Sequence, residues 1–220
     1  MNNIVKKLIF LIPVYLISSG AFDHGTSAGK RNFDISITWN LFNYFEQGQS
    51  YAIIGYGLTN RLDIHAYYSV SKNSSNNFYG GFSYQFLDTK YLDLSTAFGA
   101  RAYTDNKESH LFFPQLLYTL KLNKSLSIGG SIVDIRSQNF EVSKGISKDI
   151  FLMLNIFNNE KYKIDITVGG FNPVLCKPQS GDWYPTYSLD IKIKKWTLFH
   201  SLYKKRLKYI NPLLSKGLIR

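Results

Sequence analysis

The sequence predicts an all-β fold: an antiparallel transmembrane β-barrel of about 12 strands that follows an N-terminal signal peptide, with ten strands possible if the C-terminal segment stands apart. Three observations carry the expectation. The first is a strict two-residue alternation. Past the turn Thr59-Asn60-Arg61, residues Leu62, Ile64, Ala66, Tyr68 and Val70 fall on one side and Asp63, His65, Tyr67, Ser69 and Ser71 on the other. Both sides carry aromatics, and the polar side is rich in small residues, as expected of a lumen enclosed by a wall in lipid. The second is the rhythm of the connections. Short turns each carry a base (Arg61, Lys90, Lys124, Lys161, Lys195), spaced 29, 34, 37 and 34 residues apart, and longer polar loops fall between them. Regular sorting into short and long connections is expected of a membrane barrel and not of a soluble sandwich. The third is the start of the chain, where Lys6 and Lys7 precede an apolar core from Leu8 to Ile17 and then Ser18-Ser19-Gly20-Ala21. That is the layout of a secretory signal peptide cleaved after Ala21, and its core is too short to span a bilayer.

In chain order the expected units are a signal peptide over 1–21, a polar segment over 22–31, the barrel over 32–194 and a basic segment over 195–220. The polar segment contains Gly25-Thr26-Ser27-Ala28-Gly29-Lys30, which lacks the spacing and the Ser/Thr after Lys of a phosphate loop, and which follows a signal instead of a strand. Strands are expected from Asn32 to Leu41, on both sides of the Thr59-Asn60-Arg61 turn, and over Phe78–Leu87 and Tyr91–Tyr103. They continue on both sides of Asn123-Lys124-Ser125, then over Asp149–Phe157, Tyr162–Phe171 and Trp183–Ile193. A loop is expected near Gln138 to Lys148. Trp196, Leu198, His200 and Leu202 extend the alternation as an eleventh strand, and a twelfth would have to come from 207–219 despite Pro212 and Gly217. The alternative for 196–214 is a basic amphipathic helix at the membrane surface.

Composition agrees with this class. The chain has 220 residues with sixteen Tyr and sixteen Phe, which suit interfacial girdles. Mean hydropathy is −0.15, too polar for a helical membrane protein. The formal charge is +11, but two bases lie in the signal and nine follow Asp190, so residues 22–190 hold fifteen bases against fifteen acids. A neutral body with a basic tail is not a polyanion-binding surface, and nucleic-acid binding is not expected. Cys176 is the single cysteine, so no intramolecular disulfide forms.

The segment Tyr-Gly-Leu-Thr-Asn-Arg-Leu-Asp-Ile-His-Ala-Tyr-Tyr-Ser (56–69) resembles a hairpin common in bacterial outer-membrane β-barrel families, such as the porin-like proteins grouped with meta-pathway phenol-degradation transporters. The resemblance covers about twenty residues in detail and the rest in hairpin rhythm. It implies a channel-like barrel in the bacterial outer membrane, in contact with lipid and lipopolysaccharide and passing small solutes or ions.

On the inferred inward face, Asp34, Asp63, Asp93 and Asp165 lie near the starts of ascending strands, and Lys121, Asp190 and Lys192 near the ends of descending ones. Together with His65 they are the candidate lumen charge layer. One reading is an internal network satisfying charges that cannot face lipid; the other is a charged constriction selecting permeating solutes. Asp63 and His65 share a strand face, as an acid–base dyad would. Nothing completes a catalytic site around them. The adjacent His200 and Ser201 point to opposite faces, and His24 and His110 are isolated. No catalytic residue, cofactor or metal site is expected. The function expected is a passive pore for small solutes, with a closed structural or adhesive barrel as the alternative and a membrane hydrolase third.

Overall fold

The computed structural model describes residues 24–39, 49–71, 76–104, 109–137, 139, 141–172 and 183–195. The expected signal peptide and residues 196–220 lie outside them. Ten strands form one closed antiparallel barrel, and the described residues contain no helix. The strands are β1 (Phe33–Trp39), β2 (Gln49–Gly57), β3 (Leu62–Ser71), β4 (Asn77–Asp88), β5 (Leu92–Tyr103), β6 (Ser109–Lys121), β7 (Leu126–Ser137), β8 (Ser143–Asn158), β9 (Tyr162–Asn172) and β10 (Tyr184–Ile193).

Among the described residues closure falls at ten strands, the lower of the two counts the sequence allows. β1 pairs directly with β10 from Phe33↔Ile193 to Trp39↔Tyr187, which leaves no free edge between them. The expected loop at 138–148 is shorter than its sequence suggests, because β8 begins at Ser143. Its first residues, Ser-Lys-Gly-Ile-Ser, are mostly polar and exposed, as a strand is where it projects beyond an apolar belt. β6 contains Pro114, which cannot donate to a ladder. The pairing slips beside it on both flanks, between Phe112 and Gln115 toward β7 and between Ala97 and Gly99 toward β5.

The short turns share one end, and the start of β1 and the end of β10 share it too. Side chains do some of the turning there: Thr59 accepts from the backbone of Arg61 and Leu62, Asn123 from Ser125 and Leu126, and Asn159 from Lys161 and Tyr162. The longer connections lie at the other end.

The exposure pattern is inverted relative to a soluble protein. Ile54 (51%), Ile64 (46%), Phe82 (49%) and Ile150 (47%) are exposed outward, whereas inward Thr38 and Asp93 are 0% exposed. Outward aromatics gather beside the short turns (Tyr84, Phe86, Tyr91, Phe157, Tyr162) and again toward the loop end (Tyr68, Phe78, Trp183). Between them run aliphatics such as Leu116, Ile132, Leu152 and Ile166. Two aromatic bands around an aliphatic belt match the two interfaces and the core of a bilayer. Strands of 10–12 residues, typical of the set, have the length that a tilted membrane strand needs, about 9–11 residues.

The lumen is lopsided. Toward β1, β3, β9 and β10 it is lined by hydroxyls and carboxylates. Toward β5–β8 it also carries an apolar sector of Ala97, Leu117, Val133, Ile135, Phe151 and Met153.

Candidate functional site

Seven of the eight predicted lumen residues form a layer near the short-turn end. Asp34 on β1 lies opposite Lys192 on β10, with Nζ 3.7 Å from the carboxylate. Asp93 is held by Lys121 at 2.7 Å, and the same lysine donates to the Thr89 carbonyl. Asp165 and Asp190 are direct cross-strand partners, a like-charge arrangement that is costly unless relieved. Lys163, 2.7 Å from Asp165, and the Asn155 amide at 2.8 Å relieve one. Hydroxyls of Ser36, Thr167 and Ser188 donate to the other.

The eighth, His65, belongs elsewhere. Its Nε2 is 3.2 Å from the Tyr79 hydroxyl and its ring stacks on Tyr79 at 5.3 Å. Asp63, two residues away, does not turn to it. Its two oxygens accept instead from Ser27 Oγ and the Ala28 N–H, both at 2.8 Å. The dyad that the spacing allows is therefore not formed.

Those two bonds belong to a feature that the strand pattern does not predict. The polar segment from His24 to Asn32 is a strap that enters the lumen from the start of β1 and crosses it at the height of the charge layer. The Gly25 N–H donates to Thr119 Oγ1 (3.0 Å), and the Gly25 carbonyl accepts from Ser95 Oγ (2.6 Å). Thr26 Oγ1 donates to Asp93 (2.7 Å) and the Ser27 N–H to Gln85 (2.9 Å). Arg31 and Asn32 exchange backbone bonds with Gly57 on β2. Small residues are what allow the fit. A Cβ on Gly57 would stand 1.9 Å from the Gly29 carbonyl oxygen, and Gly29 itself adopts φ +82°. The strap is thus held by side chains of β3, β4, β5 and β6. In sequence it showed only as a run of small polar residues, with no periodicity to place it.

On the short-turn side of the strap lies a cavity of about 490 Å³, with His24, Asp34, Asp190 and Lys192 in its wall. A second, much smaller space of about 20 Å³ lies next to Asp63 and His65. Beyond it a second filling begins, made of side chains. Tyr79 stacks on Tyr67 at 4.8 Å and meets Phe112 edge-on at 5.5 Å. Its hydroxyl lies over Gly81 and Gly99, where a Cβ would approach to 2.8 and 1.9 Å, so the paired glycines form the groove that receives it. Gln115 donates to that hydroxyl at 3.3 Å. The buried Arg101 guanidinium stands over the rings of Phe112 (4.8 Å) and Tyr103 (5.2 Å). Tyr79 and Arg101 were not singled out by sequence. Each is buried on the inward face of its strand, and nothing local in the sequence marks them as neighbours. Among the described residues no group of three or more His, Cys, Asp or Glu is placed to hold a metal ion.

An apolar outside, a polar hydrogen-bonded inside and closure without a free edge define a membrane-spanning β-barrel. No family model matches the chain, and no curated protein matches it. Among solved structures, the chain is similar to the KdgM porin in complex with disordered oligogalacturonate, at 11% identity and a TM-score of 0.43 over 74% of this chain and 98% of that one. It is also similar to the N-terminal β-barrel domain of Pseudomonas aeruginosa OprF, at 12% identity and a TM-score of 0.34 over 75% and 99%. A third is Acinetobacter baumannii OccAB4, at 13% identity and a TM-score of 0.26 over 72% and 56%. Likeness at this level says nothing of function.

Proposed function

We propose that the protein is a bacterial outer-membrane channel for small solutes whose lumen is closed at the short-turn end by its own N-terminal strap. The observation that carries this reading is how the closure is made. The lower lumen is filled by a segment tethered at β1 and held by hydrogen bonds, not by side chains rooted in the wall. Ordering such a segment costs roughly 1–2 kcal/mol of backbone entropy per residue, so its seat depends on every bond it makes. Removing it would uncover Asp63 and Asp93 as a charged ring of the kind that selects permeating solutes. The aromatic filling around Tyr79 supports the second reading, a closed structural barrel with its loops as the working surface.

Single-channel recording in planar bilayers separates the two. The folded native protein is expected to give rare, small openings, and Asp63→Ala/Asp93→Ala to give larger and more frequent ones with altered ion selectivity. Silence from both, with folding verified by heat-modifiable gel mobility, would replace the channel with the closed barrel.

A further inference from the structure

The cavity on the short-turn side of the strap is electrically divided. Asp34, 7% exposed, helps line it, and the Asp34 Oδ1 atom has no hydrogen-bond partner. Asp190, in the same wall, accepts from three hydroxyls and meets no cation among the described residues. The lysines nearest these carboxylates are engaged. Lys163 is on Asp165 at 2.7 Å, and Lys192 reaches the Ser27 carbonyl at 3.4 Å and only the other oxygen of Asp34, at 3.7 Å. Across the bore stand Lys90 and Lys124, on the β4–β5 and β6–β7 turns. In the ring of ten strands β6 is five places from β1 in either direction, so the β6–β7 turn faces the Asp34 wall. Neither of these lysines meets a carboxylate among the described residues; Lys90 lies over the Tyr91 ring, at 4.9 Å.

A buried carboxylate oxygen without a donor is costly, and a cation is its natural complement. Among the described residues no group of three or more His, Cys, Asp or Glu is placed to hold a metal ion, so an organic cation fits this wall better. The lysines opposite call for an anionic group, and Met153 adds an apolar surface to the same cavity. We propose that the cavity binds a small zwitterion of the dipeptide class. Its α-ammonium donates to Asp34 and Asp190, its carboxylate lies toward Lys90 and Lys124, and an apolar side chain rests on Met153. Size agrees with this. The cavity, about 490 Å³ in volume, is about 10 Å across if rounded, and falls within the roughly 300–1,000 Å³ of small-molecule sites. An extended dipeptide covers about 7 Å, and the long lysine side chains close the remaining gap. The inference rests on the cavity, and on neither conduction nor release of the strap.

The chain carries its own reporter. Met153 is one of only two methionines, the other being Met1, so its methyl resonance is readily assigned in methionine-labelled protein by its loss in Met153→Leu. In protein folded in detergent micelles near pH 7, titration with glycyl-leucine is expected to move that resonance saturably. N-acetyl-glycyl-leucine, which lacks the ammonium, should bind about tenfold more weakly, as loss of a contact to a buried carboxylate requires. Glycyl-leucinamide, which lacks the carboxylate, should lose only about threefold, because Lys90 and Lys124 are exposed. Lys90→Gln/Lys124→Gln changes turn residues alone and should erase the difference between the dipeptide and its amide. Asp34→Asn/Asp190→Asn should bring glycyl-leucine down to the affinity of the acetylated form. Should that variant fail to fold, the ligand series on the native protein decides the matter. A resonance that no ligand moves overturns the proposal, as does one that the acetylated dipeptide or the amide moves at the same concentration as glycyl-leucine. A silent bilayer would remove the channel and leave this result untouched.

Discussion

The two halves of the lumen solve one problem in opposite ways. At the loop end, rings and a guanidinium rooted in β3, β4, β5 and β6 fill the bore themselves, each fixed by its own strand. At the short-turn end, the wall supplies only hydrogen-bonding groups, and a separate length of chain does the filling. A filler rooted in the wall cannot leave without disturbing the barrel. A filler that is a separate length of chain can, so the two halves should respond differently to the same kind of insult.

The largest effect is expected where the filling is part of the wall. Tyr79→Ala removes a ring packed against His65, Tyr67 and Phe112 and leaves a cavity between them. The loss of folding stability is expected to be about 3–5 kcal/mol, the range for large aromatic truncations. Reversible urea unfolding into lipid vesicles would measure it. A loss below about 1 kcal/mol would show that the loop-end filling is loose, and the contrast between the halves would fail. Gly57→Val should behave in the opposite way. Its side chain would collide with the Gly29 backbone, which belongs to the strap, so the strap should be expelled while the barrel persists. Losing the two bonds to the Asp63 carboxylate alone is worth about 3 kcal/mol, or about a hundredfold in strap release. Hydrogen exchange at Gly25, Ser27 and Ala28 reads that release directly. Unchanged protection there, or global unfolding, would contradict a separable strap.

The smallest effect is one of pH. Enclosure in the lumen lowers the His24 pKa from 6.5 to about 4; the charges of Lys192 and Lys163 add to the shift, and Asp165 opposes it. Above pH 6.5 the ring is neutral whether the strap is seated or released. As pH falls from about 6.5 to about 4, the released strap takes up a proton that the seated one refuses, so seating weakens across that window and levels off below it. Exchange protection of the strap should therefore fall between pH 7 and pH 5 in the native chain and stay flat in His24→Asn. A native profile as flat as the variant's would place His24 outside the seat.

What the sequence made legible follows from the range of each interaction. Alternation is local, and it assigned the faces of β3 correctly, with Ile64 and Val70 outward and Asp63 and Ser69 inward. The ends of β4, β5, β9 and β10 came within a residue or two for the same reason, since each short turn carries its own turn chemistry. Strand number was harder, because it depends on whether β1 meets β10, a contact between the two ends of the barrel. The inward carboxylates were legible as a layer, but their partner was not. Ser27 is 36 residues from Asp63, and Gly25 is 94 residues from Thr119. No pattern within a strand announces a bond at that distance. A polar, glycine-rich segment next to a barrel strand is the one sign of it in the sequence.

The apolar sector of the lumen has a cost that is felt outside the membrane. Along β8 the inward Phe151 and Met153 alternate with outward Ile150, Leu152 and Leu154. The result is an unbroken apolar run, Ile-Phe-Leu-Met-Leu, without charge or proline to interrupt it. Inside the barrel the run is divided between lipid and lumen. In water, during transit to the membrane, it is a single sticky ribbon of the kind that seeds cross-β association between chains. The same residues that make one wall of the bore dry make this stretch prone to association between chains before insertion.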